Sequence, residues 1–343
     1  MSRAQLTSTV EQNSAGAAAP VVAGKNLIAN GAFDIWQRGT SFSPGTNATV
    51  YTADRWAAFR NSSASYTVSQ ISAGLAGFTY AARVQRTAST TTTDPIYLGK
   101  SFETIADVTK WQGKTLTLSF YARAGSNFSG SSNFLVSYFS SGSGTDTPFT
   151  TEPGSSTSFQ QNNILTTSWQ RFSQTVTVPS GSTAARMFFD YNPTGTAGAN
   201  DYFDVTGVQL EIGSVATPFA TAAGTLQGEL ALCQRYYWAV ATGTVQPILN
   251  MAAQTTTSAE GIIQYPVTMR TTPSLAVSNT AGSFALKVAG GAPQFPTFTI
   301  DIWNNNCASM VATLATSTTV GAGGIAYTTS LSASTFVAFS SEL

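Results

Sequence analysis

Thr115-Leu116-Thr117-Leu118-Ser119-Phe120-Tyr121-Ala122-Arg123 is the stretch on which the fold turns. Leu116, Leu118, Phe120 and Ala122 occupy alternate positions, the period of a β-strand with one buried face. Further along, Phe172, Val176 and Val178 repeat that pattern. Phe134 to Phe139 is apolar on both faces, which predicts a central strand. Phe203 and Val205 keep one phase, while Val208, Leu210 and Ile212 keep the other. The slip at Thr206-Gly207 predicts a β-bulge. Loops rich in Gly, Ser, Thr and Asn separate these runs. Residues 26–221 therefore read as an antiparallel β-sandwich.

On either side the pattern changes. Residues 1–25 are small and polar and cannot bury enough to fold alone, so they are expected to form an extended arm. In residues 222–238, Leu226, Leu230, Cys233 and Tyr237 are spaced 4, 3 and 4, the stripe of an amphipathic helix. Too short to stand alone, this helical joint is expected to pack on a domain or in a threefold bundle with copies of itself. Residues 239–343 return to strands: Ile262-Ile263, Phe284 to Val288, alternating Phe298, Ile300 and Ile302, Met310 to Leu314, and Phe336 to Phe339. The expected fold class is all-β: arm, antiparallel sandwich, connecting helix and a C-terminal β tip, assembled as a trimer.

Composition narrows the function. The 343 residues carry 16 basic and 16 acidic side chains, so the formal charge is zero. A neutral chain has no electrostatic basis for binding nucleic acid or an anionic membrane. There is no histidine, which excludes His-based catalytic triads and His-ligated metals. Charged residues make up only 9% of the chain, against about 25% in ordinary soluble proteins. Extensive burial between copies, with a Ser/Thr/Asn-rich remaining surface, is the expectation. Nothing near the N-terminus reads as a secretory signal, and no apolar run is long enough to span a membrane. Synthesis in the cytoplasm follows. Cys233 and Cys307 read as free thiols.

Candidates for chemistry are few. Asp34 and Asp54 could be the paired acids of a glycosidase. Arg38 and Arg55 stand close to them in sequence, so the four read as structural ion pairs. Asp201 and Asp204, spaced i and i+3, read either as calcium ligands or as a solvated loop. Six tryptophans, Trp36, Trp56, Trp111, Trp169, Trp238 and Trp303, suit either a core or the stacking of sugar rings. The best candidate glycan-binding loop is Trp303-Asn304-Asn305-Asn306, which groups amides beside an aromatic ring. No catalytic residue, metal or cofactor is expected.

Residues 26–42, reading NLIANGAFDIWQRGTSF, resemble the opening of the sandwich domain of tailed-phage fibre proteins, as does Tyr51-Thr-Ala-Asp-Arg-Trp56. Gly113-Lys-Thr-Leu-Thr-Leu-Ser-Phe-Tyr-Ala-Arg-Ala124 and Trp169-Gln-Arg-Phe172 are similar to its middle, and Val208-Gln-Leu-Glu-Ile-Gly-Ser-Val-Ala-Thr-Pro-Phe219 to its end. Leu230-Ala-Leu-Cys-Gln-Arg-Tyr-Tyr237 resembles the helical joint that follows in those fibres, and Ser341-Glu-Leu343 their usual ending. The sandwich is also similar to carbohydrate-binding modules of jelly-roll type, which implies a jelly-roll for residues 26–221. Many of those hold a calcium through an Asp-Asp-Val sequence on the last strand. Here that place reads Thr206-Gly207-Val208, and no calcium is expected.

The resemblance implies a homotrimeric virion fibre or spike. Residues 1–25 would join it to other virion proteins, and the tip would meet a host cell-surface glycan. The leading function is thus a non-enzymatic adhesion fibre. The alternative is a structural capsid decoration, a head fibre or cement spike. A capsule depolymerase would need a longer chain with a β-helix and paired acids.

Overall fold

The computed structural model describes residues 24–60, 63–146, 148–278, 280–329 and 335–343. The chain is all-β, 48% strand and 6% helix, with antiparallel sheets. Residues 1–23, most of the expected arm, lie outside the described residues.

Twelve strands build the sandwich: β1 (Ser41–Phe42), β2 (Val50–Tyr51), β3 (Ala57–Arg60), β4 (Tyr66–Leu75), β5 (Phe78–Arg86), β6 (Ile96–Phe102), β7 (Thr115–Ala124), β8 (Phe134–Ser143), β9 (Gly154–Ile164), β10 (Gln170–Thr177), β11 (Ala184–Tyr191) and β12 (Tyr202–Ile212). The first sheet runs β1-β4-β5-β12-β7-β10 and the second β2-β3-β6-β11-β8-β9. Leu116, Leu118, Phe120 and Ala122 of β7 point into the shared core, none more than 1% exposed. They meet Trp56, Phe139, Phe189 and Phe203 there.

Polar Thr117 and Ser119 on the other face of β7 are buried too. Residues 213–219 fold back over that face: Thr117 donates to the Gly213 carbonyl at 2.7 Å, and Glu211 accepts from both the amide and the hydroxyl of Thr217. The phase slip in β12 is a bulge between Thr206 and Gln209. Gly207 sits there at φ +61°, and a Cβ would come within 2.7 Å of the Phe78 ring. Beyond the bulge, Ile212 leaves the core and is 54% exposed. β8 is an interior strand, but next to the edge strand β9 rather than central.

The joint helix α1 spans Leu226–Gln234, shorter than the sequence spacing predicts. Thr225 caps it by accepting from the Gly228 amide at 3.1 Å. The expected stripe does not form. Tyr237 begins a strand, as a run of β-favouring aromatic residues dictates. Cys233 and Tyr237 face the chain's own interior, whereas Leu226 is 57% exposed. The buried face instead carries Glu229, whose carboxylate accepts from the backbone amides of Asn30 and Ala223 at 2.7 and 2.6 Å. An acid therefore holds the helix to the sandwich.

The second β region holds β13 (Tyr237–Ala241), β14 (Pro247–Ala253), β15 (Ser258–Gln264), β16 (Ser274–Val277), β17 (Phe284–Lys287), β18 (Gln294–Phe295), β19 (Phe298–Trp303), β20 (Cys307–Thr313), β21 (Gly323–Thr328) and β22 (Val337–Ser340). A three-stranded sheet, β13-β22-β16, and a seven-stranded one, β18-β17-β21-β14-β15-β20-β19, share a core around Phe284, Phe295, Phe298 and Phe339. Among the described residues no helix is long and apolar enough to cross a membrane.

Candidate functional site

The acids and arginines near the N-terminus meet, but not as sequence proximity suggests. Arg38 reaches Asp54 at 3.7 Å and Glu342 at 3.0 Å, and Arg55 also pairs with Glu342. Their guanidinium groups lie over the rings of Tyr237 and Tyr236, at 3.5 and 3.3 Å from the centroids. Asp34 has no ion pair among the described residues, and burial and Glu229 raise its pKa. The expected pairs Asp34–Arg38 and Asp54–Arg55 are thus corrected to Arg38–Asp54, Arg38–Glu342 and Arg55–Glu342. Burial pushes the Asp54 carboxyl up to about 6, against the pull of Arg38 and hydrogen bonds from Gln37. Sealed at 0% exposure, Asp54 offers no carboxylate to a substrate. Gln37 also donates to the Tyr237 carbonyl at 2.7 Å, and Tyr51 to the Leu343 carbonyl at 2.6 Å. Chemically this cluster is a lock between the two β regions.

Asp201 and Asp204 are not in a solvated loop; both are fully buried. Arg83 and Arg123 flank Asp204 directly across β5, β12 and β7 and bond it at 2.7 and 2.8 Å. Arg86 bonds Asp201 at 2.8 Å, and the Ser129 hydroxyl donates to the same carboxylate at 2.7 Å. Guanidinium groups occupy the carboxylates that the calcium reading would assign to an ion. Among the described residues, no group of three His, Cys, Asp or Glu is arranged to hold a metal.

Trp303-Asn304-Asn305-Asn306 is the hairpin turn between β19 and β20. Trp303 is 44% exposed, so it is no core residue. Asn304 Oδ1 accepts from the amides of Asn306 and Cys307 at 2.7 and 3.1 Å, and Asn306 Oδ1 from Thr268 at 2.8 Å. These side-chain carbonyls are spent on the turn itself. Of the other tryptophans, Trp56 and Trp111 are buried, and Trp36, Trp169 and Trp238 are half-buried.

A richer aromatic surface lies on the outer face of the second sandwich sheet. Register places Phe59 beside Tyr97, Tyr97 beside Asp190, and Phe188 beside Gly99 and Tyr138. Phe149 folds over from the β8–β9 connection. Gly99 makes room for it, since a Cβ there would lie 2.7 Å from the Phe149 ring. Phe188 stacks on Tyr138 at 4.4 Å between centroids, and Phe59 on Tyr97 at 6.3 Å. Phe59, Tyr97, Phe149, Thr150, Arg186 and Phe188 enclose a cleft of about 240 Å³. Arg186 donates to the Phe149 carbonyl at 2.7 Å and pairs with Glu152. Behind Tyr97, burial raises the pKa of the Asp190 carboxyl against a hydrogen bond from Asn192. Flat rings beside a guanidinium can stack on CH-rich sugar faces and bond hydroxyls. Sequence reasoning passed over these residues. Their signal was present: outward positions of strands such as Phe134–Phe139 carry aromatics where polar residues are the rule for a solvated face.

No family model matches the chain, and no curated relative does. Its neighbours among solved structures are carbohydrate-binding modules and a phage tailspike domain. A CBM4 structure is 20% identical, covering 54% of this chain and 98% of that one, at a TM-score of 0.34. The CBM22-1 xylan-binding domain of Paenibacillus barcinonensis Xyn10C is 10% identical, covering 57% and 100%, at 0.33. The enzymatically active domain of bacteriophage CBA120 tailspike protein 4 is 13% identical; 55% of this chain matches 21% of that one, at 0.32.

Proposed function

We propose that this chain is a non-enzymatic glycan-binding protein of a phage virion, a trimeric fibre or spike. The aromatic cleft of the second sandwich sheet is its sugar-binding surface. One observation carries this: Phe59 and Tyr97, half-buried on an outer sheet face, line one cleft with the Arg186 guanidinium. A sugar ring would stack on Phe59 and Tyr97 and accept from Arg186. Each stacking contact is worth roughly 1 kcal/mol and each charged hydrogen bond about 1.5–3 kcal/mol before the costs of binding. One site is then weak, and a trimer gains by avidity. The virion assignment, with attachment through residues 1–25, rests on the sequence likeness over residues 26–237. The reading without catalysis rests on a chain lacking histidine and on acids tied to arginines.

The test is titration of the intact protein with purified host-surface polysaccharides. Tyr97→Ala and Phe59→Ala should each weaken binding about tenfold, whereas Trp303→Ala should leave it unchanged. If Trp303→Ala abolishes binding and the other two do not, the receptor surface lies at the tip. If no host polysaccharide binds, the glycan reading fails and a purely structural virion role stands in its place.

A further inference from the structure

A second cavity, of about 350 Å³, lies at the joint between the sandwich, the 104–111 turn and α1. Among its walls are Lys100, Phe102, Asp107, Trp111, Leu232 and Tyr236. It shares no lining residue with the aromatic cleft. Lys100 is 4% exposed, and among the described residues its ammonium reaches only the Ala29 carbonyl, at a long 3.4 Å. The rings of Trp56 and Phe102 lie 5.6 and 5.5 Å away. No carboxylate comes within ion-pair distance of it among the described residues.

The neighbouring charges are spoken for. Arg55 is paired with Glu342, and Arg235 with both oxygens of Glu103 at 3.1 and 3.0 Å. Glu229, facing Lys100 from α1, is bonded to two backbone amides, and burial keeps the Cys233 thiol protonated. Lys100, Lys110 and Asp107 remain on the wall; Asp107 and Glu229 offset the Lys100 charge from beyond ion-pair distance, but two of its three N–H donors have no acceptor among the described residues. A buried ammonium with unmet donors is costly, and a carboxylate supplied from outside would meet them. Asp107 accepts from the Glu103 amide through one oxygen, at 3.1 Å, so its other oxygen can take a hydroxyl.

We propose that this cavity binds a small hydroxy-carboxylate of the sugar-acid class. The carboxylate would sit on Lys100, a hydroxyl on Asp107, and the ring against Phe102 and Trp111. The volume lies at the lower end of ligand cavities, which run from about 300 to 1,000 Å³, and suits a single residue. Burial and the nearby Arg55 lower the Lys100 pKa, so an arriving carboxylate favours the ammonium and draws in a proton. Affinity should therefore fall as pH rises above neutrality.

The experiment titrates the full chain with glucuronate, glucose and acetate by calorimetry at pH 6.5 and 9. The expected result is glucuronate binding, at least tenfold tighter at pH 6.5, with proton uptake and no glucose binding. Acetate, which carries the charge without the ring, should bind at least tenfold more weakly. Lys100→Met should lose glucuronate by tenfold or more without losing thermal stability. As a check that needs no variant, glucuronate should protect Lys100 from reductive methylation in the wild-type protein, read by mass spectrometry. Failure of glucuronate to bind or protect, equal binding of glucose, or wild-type affinity in Lys100→Met would overturn the proposal. So would loss of glucuronate binding in Tyr97→Ala, which would place the ligand on the aromatic face instead.

Discussion

Glu342→Gln tests the lock between the two β regions. Glu342 has a side-chain exposure of 5% and bonds two guanidinium groups, those of Arg38 and Arg55, which are 13% and 4% exposed. Removing one partner of a buried ion pair costs about 3–5 kcal/mol, because the stranded charge stays buried. Two features lower that cost here. Arg38 keeps Asp54 at 3.7 Å, and both arginines keep their tyrosine rings. Glutamine also retains one acceptor oxygen. We expect about 3 kcal/mol, which at roughly 2–4 °C per kcal/mol lowers the melting temperature by about 6–12 °C. The loss should fall on the coupling between regions, so a single calorimetric transition should split or broaden. A double-mutant cycle with Arg55→Met isolates the pair, and a coupling energy near 2 kcal/mol is expected. Coupling within 0.5 kcal/mol of zero, or an unchanged melting profile, would refute the idea that Glu342 joins the regions.

Asp54 should show its burial in acid. Its pKa is raised from 3.8 to about 6, so its contribution to stability is full below about 4 and lost as pH rises through about 6. Relative to Asp54→Asn, the wild type should gain about 2.4 kcal/mol between pH 7 and pH 4 in urea unfolding; a constant difference would refute the assignment. Gly207→Ala places a Cβ at positive φ against the Phe78 ring and should cost about 3 kcal/mol; a loss below 0.5 kcal/mol would show that the bulge relaxes freely. Light scattering should give about three times the 35.8 kDa chain mass, and a clean monomer at micromolar concentration would end the trimer reading.

Period-2 alternation made β7, β10 and β12 legible, and even the bulge, because a phase slip is a local property of the sequence. The bounds of α1 were less so. The 4-3-4 spacing from Leu226 to Tyr237 fits a helix, but β-favouring Tyr236-Tyr237-Trp238 ends it early, and Glu229 takes the inner face through bonds no periodicity encodes. The ion pairs were misassigned for a related reason. Proximity in sequence suggested Asp54 with Arg55, yet the partner of Arg55 is Glu342, 287 residues away. Arg83, Asp204 and Arg123 meet only because register aligns three strands. The aromatic cleft also depends on register, which brings Phe59, Tyr97 and Phe188 side by side.

That Arg83–Asp204–Arg123 ladder has a consequence for where the protein can work. A carboxylate neutralised by a diffusible ion is only as secure as the supply of that ion, and rinsing or sequestration undoes it. Here the counter-charges are covalently part of the same sheet, so their local concentration is fixed by the backbone and does not fall on dilution. The sandwich should therefore keep its strands together in soft or hard water, at trace or millimolar divalent cation.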